Sequence, residues 1–87
     1  MSKVEKTVVV KSKHGLHARP AAVFVQIANK YKSAISVRKG NDEVSGKSIM
    51  GMLMLGADCG SEILMSVEGD DAELMFSELE AYLAKED

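Results

Sequence analysis

The stretch Gly15-Leu16-His17-Ala18-Arg19-Pro20 places a histidine just before a predicted helix start, followed by an arginine and a proline in the first turn. A helix N-terminus carries unpaired backbone N–H groups and a partial positive charge, so it accepts anions such as phosphate. An ordinary imidazole, with a pKa of about 6.5, is largely neutral at pH 7 and is then a nitrogen nucleophile. His17 is therefore a candidate phosphoryl acceptor and donor. Its product is dianionic, and the amides of Ala18 and Arg19 with the Arg19 guanidinium supply the donors to stabilise it without a metal. Pro20 brings no amide and fixes the first turn. On spacing alone, the same histidine is also read as an ordinary cap-region residue.

His14 precedes His17 at His-x-x-His spacing. Two histidines make an incomplete metal site, which Asp58, Cys59 or Glu62 would complete only if the fold brought them close. No metal and no cofactor are expected, and His14 is read as a solvated loop residue. Cys59 is the only cysteine, so no internal disulfide forms, and it is read as a bystander.

A second segment, Lys47-Ser48-Ile49-Met50-Gly51, opens another short helix. Ser48 sits where an N-cap belongs, its hydroxyl accepting a backbone N–H. It is also a candidate for regulatory phosphorylation, because negative charge at a helix N-terminus is tolerated electrostatically. The helix is apolar nearly all round. If Met52 and Leu55 face a sheet, then Ile49, Met50 and Leu53 point outward and form a candidate docking patch.

The elements that must position these groups follow from periodicity. Thr7 to Val10 reads as a strand, and Ala18 to Tyr31 as a helix with Ala21, Phe24, Ile27 or Ala28, and Tyr31 inward. Ala34 to Arg38 alternates, Gly40-Asn41-Asp42 turns, and Glu43-Val44 starts a short return strand. Lys47 to Leu55 is a short helix ended by Gly56. Glu62 to Glu68 alternates again, and Gly69-Asp70-Asp71 leads into a final helix with Ala72, Met75, Phe76, Leu79 and Leu83 on one stripe, its acidic start suiting the dipole. The order β-α-β-β-α-β-α predicts an α+β fold, an open-faced two-layer sandwich with one wet sheet face.

At 87 residues the chain is expected to be one domain over 1–87. A net charge of −2 and a lack of tryptophan argue against nucleic-acid binding. No apolar run is long enough to insert in a membrane, so a cytoplasmic protein is expected.

Taken together, Gly15-Leu16-His17-Ala18-Arg19-Pro20-Ala21 and Lys47-Ser48-Ile49-Met50-Gly51, at their separation, resemble the HPr family. These are the histidine-containing phosphocarriers of the bacterial phosphoenolpyruvate-dependent sugar phosphotransferase system. Gly56, Gly60 and Gly69 fall where that family places its later turns. The resemblance implies a four-stranded antiparallel sheet under three helices. It implies that His17 accepts a phosphoryl group on Nδ1 from phosphorylated enzyme I, that Arg19 steadies it, and that IIA domains of sugar permeases receive it. It further implies that HPr kinase/phosphorylase phosphorylates Ser48, disfavouring transfer through His17 and favouring a transcriptional regulator of catabolite repression. Ile49, Met50 and Leu53 would meet these partners. The chain would be a monomer and a substrate of other enzymes rather than an enzyme itself. His14 departs from the small polar residue usual in the family, and Leu53 replaces a frequent methionine. A related regulator lacking the active histidine is not expected as a close match, since His17 is present. Competing readings are a purely regulatory binding module and a small metal- or RNA-binding domain.

Overall fold

A computed structural model describes residues 2–85; Met1 and the last two positions of the expected 1–87 domain lie outside the described residues. The elements run β1 (Ser2–Val9), α1 (Ala18–Ala28), β2 (Ala34–Lys39), β3 (Asp42–Ser45), α2 (Ile49–Leu55), β4 (Glu62–Gly69) and α3 (Ala72–Leu83). The four strands form one antiparallel sheet in the order β1-β4-β2-β3, with three helices on one face, the open-faced sandwich that the order predicts.

Register explains how the core is built. Val4, Lys6 and Val8 of β1 oppose Val67, Met65 and Ile63 of β4. Ile35 and Val37 of β2 oppose Val67 and Met65 from the other side. Because side chains alternate across a strand, these residues share the helix-covered face. Ile63, Met65 and Val67 are fully buried there, with Phe24 of α1, Met52 of α2 and Met75 and Leu79 of α3 packed over them. Lys6 is the polar exception in its row, and it lays its ammonium 5.7 Å from the Phe76 ring centre while pairing with Glu80 at 3.0 Å.

Element ends and one cap differ from the sequence reading. β1 starts at Ser2 rather than Thr7, because the pairing continues to Ser2 opposite Gly69 along β4. α1 stops at Ala28; the Asn29 side chain donates to Val25 O at 2.9 Å and competes with a further turn. Ala28 is buried and Ile27 partly so, while Tyr31 lies beyond the helix and donates its hydroxyl proton to Glu78. Asp71 is the N-cap of α3 but makes no side-chain cap bond. Its carboxylate instead accepts the amides of Lys32 and Ser33, each at 2.9 Å, and the Ser33 hydroxyl, tying α3 to the start of β2.

Candidate functional site

His17 is the N-cap of α1, in extended conformation (φ −113°, ψ 161°). The residue before it anchors the loop. Leu16 is fully buried, and its amide donates to Ala57 O at 2.7 Å. Gly15 adopts φ +64°, and a Cβ there would lie 2.6 Å from Ala57 O and 2.9 Å from Asp58 Cα. Only glycine lets these two loops touch. Their contact places His17 beside Asp58, and the imidazole Nε2 lies 2.8 Å from Asp58 Oδ1. The ring makes no cap bond to its own helix.

That hydrogen bond from His17 is the main reason the Asp58 carboxyl is held below the usual carboxylate range. Partial desolvation opposes it, and the charges of His17 and Lys39 add to it. Both side chains are well exposed, 46% for His17 and 76% for Asp58, so water screens the pair and its consequence is orientation more than stability.

Ala18, the first helical residue, has φ +39°, the one non-glycine residue at positive φ among those described. The left-handed region costs an L-residue about 1–2 kcal/mol, so the helix entrance holds local strain. The first helical bond runs from Ala21 N to His17 O, 3.4 Å long. The amides of Ala18 and Arg19 precede it and have no acceptor within the helix, and Pro20 has no N–H to leave unpaired. The Arg19 side chain is exposed, and no ion pair engages it among the described residues. His14, His17, Ala18, Arg19, Pro20, Val23 and Tyr82 border a shallow cavity of about 480 Å³. Two unpaired amides, a guanidinium and an exposed imidazole are thus gathered at one entrance, a set suited to a small anion bonded to the ring.

Ser48 is the N-cap of α2, and its hydroxyl accepts the Gly51 amide at 3.0 Å. Gly56, left-handed at φ 63°, closes the helix. Met52 and Leu55 are buried as expected, leaving Ile49, Met50 and Leu53 exposed at 38%, 63% and 37%. Met54, which the sequence reading did not single out, is more exposed still at 78%. The segment after α1 and the residue before Ser48 are joined through Lys47, whose ammonium donates to Tyr31 O at 2.8 Å and whose carbonyl accepts from Asn29 at 3.4 Å.

The fold brings Asp58 to His17. Among the described residues no group of three or more His, Cys, Asp or Glu side chains is arranged to hold an ion. His14 is exposed, with its amide toward Ser12 Oγ; Cys59 Sγ lies 3.9 Å from Lys11 O; Glu62 pairs in β4 with Val9. No described helix is long and apolar enough to cross a membrane.

Comparison with known proteins gives a consistent picture. The family described as the PTS HPr component phosphorylation site matches residues 4–85. HPr-like protein Crh of Halalkalibacterium halodurans is 47% identical over 83 residues, covering 95% of this chain and 99% of that protein. The phosphocarrier protein HPr of Bacillus anthracis superposes with a TM-score of 0.91 at 44% identity, covering 95% of this chain and 99% of that one. Crh of Bacillus subtilis, described as a catabolite repression protein forming a domain-swapped dimer, superposes at 0.76 with 40% identity and 95% coverage of both chains. The presence of His17 led the sequence reading to exclude the related regulator as a close match; the 47% identity to a Crh protein overturns that expectation. Fold, sequence and the two anchor segments agree: the chain belongs to the HPr family.

Proposed function

We propose that the chain is a phosphoryl carrier, accepting a phosphoryl group on Nδ1 of His17 from phosphorylated enzyme I and passing it to IIA domains of sugar permeases. The observation that carries this reading is the imidazole at the start of α1, uncommitted to capping and next to the unpaired amides of Ala18 and Arg19. Arg19 stabilises the phosphoryl group, and partners dock on Ile49, Met50 and Leu53, an exposed apolar face. The protein is a substrate of its partner enzymes, with no turnover of its own and no cofactor, and works as a cytoplasmic monomer in a single domain. HPr kinase/phosphorylase phosphorylates Ser48, where the added charge meets the N-terminus of α2 and lies beside Ile49 and Met50.

A second reading, a mainly regulatory module acting through Ser48 and a catabolite-repression transcriptional regulator, is favoured by the similarity to the two Crh proteins. A dual assay separates the two. One arm supplies enzyme I and phosphoenolpyruvate, the other HPr kinase/phosphorylase and ATP. The carrier reading expects label on His17 in the first arm, and labelling of His17→Ala at the wild-type level defeats it. Label in the second arm alone, confined to Ser48, supports the regulatory module. Sedimentation of the wild type tests the monomer against the dimer described for Bacillus subtilis Crh.

A further inference from the structure

We infer that Asp58 is a positioning residue for phosphoryl transfer at His17: its carboxylate takes the Nε2–H, leaves the Nδ1 lone pair free, and remains as counter-charge to the ring while the ring carries the phosphoryl group. The inference rests on the reading of His17 as the acceptor and adds a residue from outside the helix-start motif.

The chemistry follows from the contact between His17 Nε2 and Asp58 Oδ1 at 2.8 Å. An ionised carboxylate only accepts hydrogen bonds, so Nε2 must carry the proton. In a neutral imidazole one nitrogen is the donor and the other the acceptor, which leaves Nδ1 with an available lone pair. Asp58 is well placed to hold that choice, because its backbone is fixed on both sides. Ala57 O accepts the Leu16 amide, Asp58 O accepts the Ser61 amide at 3.0 Å, and the Gly60 amide donates to Val10 O at 2.7 Å. The hydrogen bond from His17, which holds the Asp58 carboxyl below the usual carboxylate range, agrees with a carboxylate charged throughout the neutral range.

Each transfer then balances without moving a proton. The Nδ1 lone pair forms the N–P bond as the donor's bond to phosphorus breaks, and that bonding pair leaves with the donor. The ring keeps its Nε2–H and becomes an imidazolium, whose positive charge faces Asp58. On the onward step the N–P pair returns to Nδ1, and the ring is neutral again in the same tautomer. Arg19 and the helix amides face the phosphoryl oxygens, so the charges of ring and phosphate are met from different elements. Because both partners are exposed, the effect on rate is that of a screened pair, about two- to fivefold.

The test uses the full chain labelled with 15N-histidine as wild type, Asp58→Ala and Asp58→Asn. NMR reads the tautomer of His17, with the His14 ring in the same spectra as an internal comparison. Steady-state transfer from phosphorylated enzyme I reads kcat and KM. The wild type is expected in the Nε2–H form. Asp58→Ala should shift His17 toward a tautomer mixture and lower kcat two- to fivefold at unchanged KM. Asp58→Asn, which keeps an accepting oxygen but not the charge, should keep the tautomer and give an intermediate kcat. An Asp58→Ala variant with wild-type tautomer and kcat overturns the inference. So does a rise in KM alone, which would make Asp58 a surface contact with the donor. Absence of any label on the wild type refutes the phosphocarrier reading itself and the inference with it, a failure visible without either variant.

Discussion

The contact that places His17 beside Asp58 passes through Gly15, and substituting it gives a prediction with an internal control. Gly15 and Gly40 have nearly the same left-handed backbone, φ +64° and +61°. An added Cβ at Gly40 meets nothing within 4 Å, whereas at Gly15 it would lie 2.6 Å from Ala57 O and 2.9 Å from Asp58 Cα. Both alanine variants bear the left-handed cost of about 1–2 kcal/mol, offset by about 0.4–1 kcal/mol from a less flexible unfolded chain. Gly40→Ala should therefore cost about 1 kcal/mol. Gly15→Ala adds the overlap with backbone that cannot rotate away, about 1–3 kcal/mol, for a total of about 2–4 kcal/mol. For a domain of this size, thermal unfolding should fall by about 5 °C for Gly40→Ala and about 10–25 °C for Gly15→Ala. Urea titration of both variants supplies the free energies. In Gly15→Ala the 15N spectrum of His17 should also change, since the loop that carries it must move off Asp58. Equal losses in the two variants, with an unaltered His17 spectrum, would refute the close approach as the reason for glycine at this position.

Other substitutions separate packing from surface and capping from charge. Met52→Ala, which empties a fully buried site, should lose about 2–5 kcal/mol in urea unfolding, whereas Met54→Ala, 78% exposed, should stay within about 0.5 kcal/mol of wild type. Ser48→Ala removes the hydroxyl that accepts the Gly51 amide and should cost about 1 kcal/mol, while Ser48→Asp keeps a capping oxygen and loses little; equal losses would show that the cap is unimportant. Asp71 is held below the usual carboxylate range by the Ser33 hydroxyl and then the Lys32 amide, and Glu78 by Lys30 and then Tyr31. The unfolded chain binds these protons more readily, so their stabilisation is full above about pH 5 and is lost as pH falls through about 4 and below. The urea midpoint should follow that course, and Asp71→Asn and Glu78→Gln should each make the acid decline shallower.

The parts of this molecule that could be read from the chain are those set by near neighbours. The stripe Ala72, Met75, Phe76, Leu79 and Leu83 repeats at helical spacing and is buried along α3, and alternation in Glu62 to Glu68 marks β4. Ser48 and Gly56 mark the two ends of α2 by local hydrogen bonding and backbone sign. What escaped depends on distant partners. Residues Ser2 to Lys6 are mostly polar and belong to an edge strand, so only β4 across the ladder defines them as strand. Asp71 looks like a dipole-matched cap, yet its carboxylate is claimed by amides almost forty positions away. Asp58 is separated from His17 by 41 residues, and nothing in its own neighbourhood announces the pairing. Gly15 was the available signal, since a glycine just before an anchored leucine suggests that another backbone passes close by. The histidine and its helix start were legible, but the carboxylate that orients the ring was not.

The most direct measurement of the central claim is site-resolved phosphorylation of the full chain with enzyme I and phosphoenolpyruvate, read by phosphorus–proton NMR and peptide mass mapping. The account predicts one acid-labile, base-stable phosphoryl group on Nδ1 of His17, transferable to a IIA domain and absent from His17→Ala. A phosphoryl group found on His14, or a wild-type chain that takes none, would contradict it.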